Sequence, residues 1–310
     1  MANKDESPTH IPPRVDKITR AYMAMEYEDA KEAGALGYLA RAVVQATLPH
    51  TDPKSSYFER SNGLVTLSVM GRPKVGIPYG STPRILMAWV CTEAVKTKSP
   101  ELNLGRSQNE FLDKLQMAHG GQSTRTLKDQ AHRLFSSLIT LTAEKGDQVG
   151  LENILIAKKA ALFWSPSHPD QPSLWESTLT LTQDFFDEVT NAPIPIDMRA
   201  YHALRKSPLA LDIYTWLTYR IFLLHAKGRK EVVIPWEALM LQFGSAYGSG
   251  ASDESKKSQA LRSFKFNFMK RLKEVLALYP DARNAVVKID NGLMVKQAPL
   301  HIKQSPLPRK

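Results

Sequence analysis

Residues 255–276 read SKKSQALRSFKFNFMKRLKEVL. Leu261, Phe264, Phe268, Leu272, Val275 and Leu276 recur at intervals of three and four, the spacing of one helix face. Off that stripe stand Lys256, Lys257, Arg262, Lys265, Lys270, Arg271 and Lys273, seven cations against a single acid, Glu274. A solvated helix ordinarily mixes signs for pairing at i,i+4. The pattern therefore predicts a helix with a core on one side and a polyanion on the other, the requirement of a DNA reader. Its lysines supply phosphate affinity; Arg262 and Gln259 are the side chains suited to base edges.

The rest of the chain divides by the same signals. Residues 1–13 are polar, with Pro8, Pro12 and Pro13 opposing regular structure. Helices are predicted over 15–32, closed by Gly34, and over 36–47, ending before Pro49. Asn62-Gly63 between two extended runs predicts a hairpin over 57–69. Thr82-Pro83 opens a helix, with Thr as N-cap and Pro at the first position, and Ser99-Pro100 stops it. An extended link at 102–104 leads to a helix capped by Ser107. Gly120-Gly121 then turns into a third helix from near Ser123. There Leu127, Ala131, Leu134 and Leu138 share one face, while Arg125, Lys128, His132 and Arg133 mostly lie off it. Extended segments at 139–142 and 154–164 follow, with Gly146-Asp147 as the turn.

That order is the order of a winged helix-turn-helix. After a linker at 193–195 it returns. Asp197 caps a short helix, Ser207-Pro208 opens a long one, and 232–234 is a strand. Trp236 begins a helix ended by Gly244, the basic helix follows a Gly/Ser loop, and Asp290-Asn-Gly292 makes a hairpin. The arrangement thus occurs twice, near 82–164 and 197–297, without residue-by-residue repetition.

At 310 residues and 43% apolar content, the chain suits about two domains of ordinary size. Its lone cysteine, Cys91, excludes an internal disulfide and a cysteine-rich zinc site. The absence of a long apolar run and of a signal-peptide core points to a cytoplasmic protein with no membrane partner. The formal charge is +10. From Lys227 onward there are 16 Lys and Arg against 7 Asp and Glu, so nearly the whole excess sits in the last quarter. A localised field favours a polyanion through counterion release. A solubilising surface or a patch for acidic lipids is the plainer alternative.

Catalytic signals are weak. There is no P-loop and no G-x-G-x-x-G after a strand. The eight histidines show no metal-ligand spacing. Asp184, Asp187 and Glu188 admit a nuclease reading, but acids after Thr182 also suit the first turn of a helix. Ser165, His168 and Asp170 read as a loop rather than a triad. Cys91 reads as a buried hydrophobe, and Tyr214, Trp216 and Tyr219 as core rather than as stacking platforms for single strands.

Several blocks in one order carry a resemblance. PYGSTPRILMAWV at 78–90 is followed by TEAVKTKSPELNLG at 92–105, by Gly120-Gly121 and by RLFSS at 133–137. LWESTLTLTQDFFDEV at 174–189, PIPIDMRAYHALRKSPLALDIYTWLTYR at 193–220 and IPWEALMLQFG at 234–244 continue it. Upstream, GYLARAVVQATLPH at 37–50 and FERSNGLVTLSV at 58–69 belong to the same set. Together, over roughly 35–300, they resemble the plasmid-encoded RepA replication initiators. The resemblance implies a non-enzymatic protein similar in fold to tandem winged-helix initiators. Such proteins bind origin repeats, help open an AT-rich region and recruit host replication proteins.

The expectation is therefore an α+β chain of two tandem winged helix-turn-helix domains with an N-terminal helical extension. Its parts are 1–34, 35–190 with the N-terminal hairpin, and 191–310 with a basic tail. Double-stranded DNA of plasmid origin repeats is the expected partner, with a host initiator and helicase, and no cofactor or metal. Contacts are expected from Arg125, Lys128 and Arg133 in the first unit. In the second they come from Gln259, Arg262, Lys256, Lys257, Lys265, Lys270, Arg271 and Lys273, with Lys288 and Lys296 near the hairpin and Lys303, Arg309 and Lys310 in the tail. The third helices would enter adjacent major-groove segments about 10 bp apart. A homodimer interface, if there is one, falls to 15–47 or 57–69. A winged-helix transcriptional repressor is the first alternative, a metal-dependent nicking nuclease the second.

Overall fold

The computed structural model describes residues 36–39, 47–61, 65–145, 148–165, 167–173, 176–191, 193–244 and 254–302. It begins with strands β1 (Leu36–Leu39), β2 (Tyr57–Ser61) and β3 (Val65–Met70). Then come α1 (Ser81–Thr97), β4 (Glu101–Gly105), α2 (Gln108–Lys114), α3 (Gly121–Phe135), β5 (Leu138–Lys145), β6 (Gln148–Leu155), β7 (Ala157–Ala161) and β8 (Ser177–Leu181). A connector of α4 (Gln183–Asn191), β9 (Ile194–Asp197) and α5 (Met198–Ala203) follows. The last part is α6 (Pro208–Ala226), β10 (Glu231–Pro235), α7 (Trp236–Phe243), α8 (Glu254–Leu278), a 3-10 turn (Pro280–Ala282), β11 (Val286–Ile289) and β12 (Gly292–Lys296).

One topology occurs twice in this mixed α and β fold. Strands β4, β8 and β7 form an antiparallel sheet in that spatial order, and β10, β12 and β11 form another. In both, the strand after the first helix pairs with the last strand, and the last strand pairs with the one before it. Each set carries the same three helices ahead of its final two strands.

Local chemistry explains most boundaries. Ser207 accepts a hydrogen bond from the Ala210 amide at 3.2 Å, with Pro208 in the first turn of α6. Ser107 accepts from the Glu110 amide at 3.1 Å, and Asp197 from the Arg199 amide at 2.8 Å. These caps satisfy amides that have no intrahelical partner. At α1 the cap is Gly80, with φ of 78°, rather than Thr82, and no side chain caps the helix. The helix starts two residues earlier than Pro83 suggests because glycine enters it from the left-handed region.

Three sequence expectations need correction. The stretch 36–47, expected as a helix, holds β1, which pairs with β9 in register from Leu36 opposite Asp197 to Leu39 opposite Ile194. Residues 193–195, expected as a linker, therefore lie largely in a strand, and this ladder joins segments on both sides of residue 190. The hairpin after α3 does not complete the β4 sheet. Instead β5 and β6 join β3 and β2 in a four-stranded sheet, because Val69 and Leu67 pair with Ile139 and Leu141. β4 takes β8, a strand absent from the expected set, and sets Leu102 opposite Leu179. The helix expected at 15–32, the turns at Asn62-Gly63 and Gly146-Asp147, and the tail beyond 302 lie outside the described residues.

The four-stranded sheet shows the period of two that sets side chains on alternate faces. Phe58, Val69, Ile139 and Ile154 stand opposite one another on the inner face, and Val69, Ile139 and Ile154 are buried. The long helices α1 and α6 are buried nearly all round, which makes them the central supports. Cys91, Tyr214, Trp216 and Tyr219 all lie in this core, as expected.

Candidate nucleic-acid interface

Helix α8 is anchored by an aromatic cluster. Phe264, Phe268, Leu272 and Val275 form its buried seam. The Phe268 ring lies 5.5 Å from Phe264, 5.6 Å from Phe243, 6.2 Å from Trp236 and 6.5 Å from Trp216. Edge-on and tilted contacts of this kind fix the helix in rotation as well as position. That rotation decides which side chains meet solvent. Gln259, Arg262, Ser263, Phe266, Lys270 and Lys273 are exposed at intervals of three and four along the opposite face, and Lys256 and Lys257 are exposed near its start.

Two of the cations expected on this face are partly engaged. The Lys265 ammonium lies 5.5 Å from the centre of the Trp236 ring, and Lys265 is half-buried. Arg271 donates to Glu274 Oε1 at 2.6 Å. In the middle and last part of the helix, Arg262, Lys270 and Lys273 are the exposed cations. In the adjoining hairpin, Lys288 and Lys296 are exposed, with Lys296 opposite Glu231 across the sheet.

The corresponding helix of the first unit, α3, buries Thr124, Leu127, Ala131 and Leu134. Gln122, Arg125, Asp129 and His132 form its exposed face. Arg125 is presented to solvent. Lys128 donates from Nζ to the Trp164 carbonyl at 2.9 Å. Arg133 departs from expectation: its guanidinium pairs with Asp129 at 2.9 Å, donates to the Ile77 carbonyl at 3.3 Å and lies 5.2 Å from the centre of the Tyr79 ring. With a side chain only 17% exposed, it serves the fold rather than the solvent face.

The enzyme-like clusters have structural employment. Asp184 sits in the first turn of α4, where Thr182 accepts from the Phe185 amide at 3.4 Å. Asp187 accepts from the Gln183 amide nitrogen Nε2 at 2.8 Å. Asp170 accepts from Asn109 Nδ2, and Pro169 from the Asn109 amide at 3.1 Å, so its loop is clasped to α2. Among the described residues, no group of three or more His, Cys, Asp or Glu is arranged to hold a metal. No helix there is long and apolar enough to cross a membrane.

Sequence reasoning missed Phe266, a large apolar side chain on the cationic face. Its signal was present: position 266 falls outside the 261, 264, 268, 272 stripe.

Residues 77–238 match the family model described as plasmid encoded RepA protein. The match includes α1 to α6 and stops short of α8. No curated protein matches the chain. Among solved structures, RctB domains 2 and 3 are similar at a TM-score of 0.46 and 12% identity, over 82% of this chain and 96% of that one. A selenomethionine form of the same domains gives the same score and identity, with 94% of its chain covered.

Proposed function

Because the chain belongs to the plasmid-encoded RepA replication-initiator family, we propose that it binds repeated duplex sites in its plasmid's origin, promotes their opening and recruits a host initiator and helicase. In this reading, 81–181 and 208–296 are two winged helix-turn-helix units. α3 and α8 are their groove-entering helices, and the protein acts without catalysis. The observation that carries the proposal is the solvent face of α8, where Arg262, Lys270 and Lys273 stand exposed and the neighbouring acid, Glu274, is paired with Arg271. Such a face gains affinity from phosphate contacts and counterion release. Arg125 on α3 and Lys288 and Lys296 on the second hairpin add cations to the same reading.

The test is replication in trans. A plasmid without its own initiator carries DNA flanking this gene, and the protein is supplied from a second replicon. Autonomous maintenance that depends on the protein is the expected result. Binding and promoter repression without maintenance would assign the protein to transcriptional control instead.

A further inference from the structure

Phe266 is the most exposed large apolar side chain among the described residues, at 72%. It stands four residues after Arg262 and four before Lys270, so both cations flank it on one helix face. Ser263 and Lys273 complete that face at three residues before and seven after. The fold has no use for the ring. Phe264 and Phe268, on either side of it in sequence, already fill the seam, Phe268 against Phe243, Trp216 and Trp236 and Phe264 against Phe268. A phenyl ring left in water forgoes the stabilisation that burial would contribute.

An apolar ring centred in a cationic face fits a surface that is anionic at its borders and apolar in the middle. The major groove has that form. Phosphates line both rims, and the C5-methyl of thymine is the one apolar group on the base edges. Resting on the DNA-binding reading above, we propose that Phe266 is a specificity residue that packs on a thymine methyl in the major groove. Lys270 and Lys273 hold the flanking phosphates, and Arg262 reaches a neighbouring base edge. Site choice by this helix then includes an apolar component that salt does not weaken, beside the salt-sensitive contacts of its lysines.

The experiment uses the full chain and duplexes that it selects from a random pool. Each thymine of the selected site is replaced in turn by deoxyuridine, which keeps every hydrogen-bonding group and lacks the methyl. At one position the replacement should weaken binding about fourfold, the equivalent of ~0.8 kcal/mol for one buried methyl-sized group. Phe266→Ala should weaken binding to the thymine duplex at least as much and respond to no deoxyuridine. Phe266→Leu, which keeps an apolar body, should retain part of the discrimination. Neither variant should change the salt slope on random-sequence duplex.

A Phe266→Ala protein that still senses the same deoxyuridine overturns the proposal, as does a site in which no thymine methyl matters. So does loss of an acidic protein partner by Phe266→Ala with DNA binding unchanged. If the unaltered chain selects no duplex at all, the DNA-binding reading itself fails. That outcome is distinct from selection without methyl sensitivity.

Discussion

Arg84 of α1 and Asp212 of α6 form a two-pronged ion pair, Nε to Oδ1 at 2.6 Å and Nη2 to Oδ2 at 2.8 Å, between residues 128 positions apart. The guanidinium also donates to the carbonyls of Gly80 and Leu48, each at 2.7 Å. It therefore ties the first helical unit, the loop before β2 and the second unit's long helix at one buried point. Removing one partner would strand the other charge in the interior. Asp212→Ala should lower unfolding free energy by about 3–5 kcal/mol. Urea denaturation checks this, with a fall in midpoint expected and an unchanged midpoint counting against a buried latch.

The same point makes stability depend on pH. His50 Nε2 lies 2.7 Å from Asp212 Oδ2, so the neutral imidazole donates its Nε2 proton to the carboxylate. Burial holds the imidazole below its ordinary value of 6.5, and the pull of Asp212 only partly offsets this. Burial alone would raise the Asp212 carboxyl, but Arg84 and His50 outweigh it and hold the group below its usual range. Both groups are harder to protonate in the folded chain than in the unfolded one, so stability rises with pH. The His50 contribution is complete above 6.5 and is lost as pH falls from there through its folded value. Thermal melts at pH 7.5 and 5.5 should show a lower midpoint at the acid end, and His50→Gln should reduce the difference.

How far such features can be read in advance depends on range in sequence. Ser107, Asp197 and Ser207 cap their helices through neighbours two or three residues away, and each was legible. The α8 seam was legible because its period needs no partner to be recognised. β1 was not, since its extended form is imposed by β9, more than 150 residues later. β8 was hidden because its value lies in pairing with β4. Arg84 and Asp212 look like ordinary helix charges until the fold brings them together. On the candidate interface, sign and spacing were legible, whereas Arg133 required knowledge of where Ile77 and Tyr79 would lie.

Exposed lysines of α8 should govern salt dependence. Lys270 and Lys273 are exposed, whereas Arg271 is held by Glu274. The Lys270→Ala, Lys273→Ala double variant should reduce the slope of log affinity against log salt by about 2, nearly independently of sequence. Fluorescence titration of a labelled duplex across a salt series measures it. An unchanged slope would take these lysines off the phosphates.

The second hairpin depends on a close approach at Gly292. A β-carbon there would lie 2.2 Å from the Ile234 carbonyl oxygen and 3.1 Å from Pro235 Cα, both backbone atoms of β10. Relief requires that the strand move, since no flexible side chain can yield. Gly292→Ala should therefore cost about 1–3 kcal/mol, the usual range for overpacking. Chemical denaturation tests this, and a loss near zero would mean that the β10 and β12 backbones are farther apart in solution.

Arg125 and Arg133 lie eight residues apart on one helix and should respond oppositely to removal. Arg133 is spent on Asp129, the Ile77 carbonyl and the Tyr79 ring, and a β-carbon on Gly76 would meet its Nη1 at 2.6 Å. Its replacement by Ala should lower stability by about 1.5–3 kcal/mol, the range for hydrogen bonds to charged groups. The salt slope of duplex binding should stay where it is. Arg125 is exposed and should behave in reverse, with Arg125→Ala leaving the melting temperature nearly unchanged and reducing the slope by about 1. Measuring melting and salt slope on both variants separates the roles of two arginines that the sequence presents alike. A reduced slope in Arg133→Ala at full stability would return that residue to the interface.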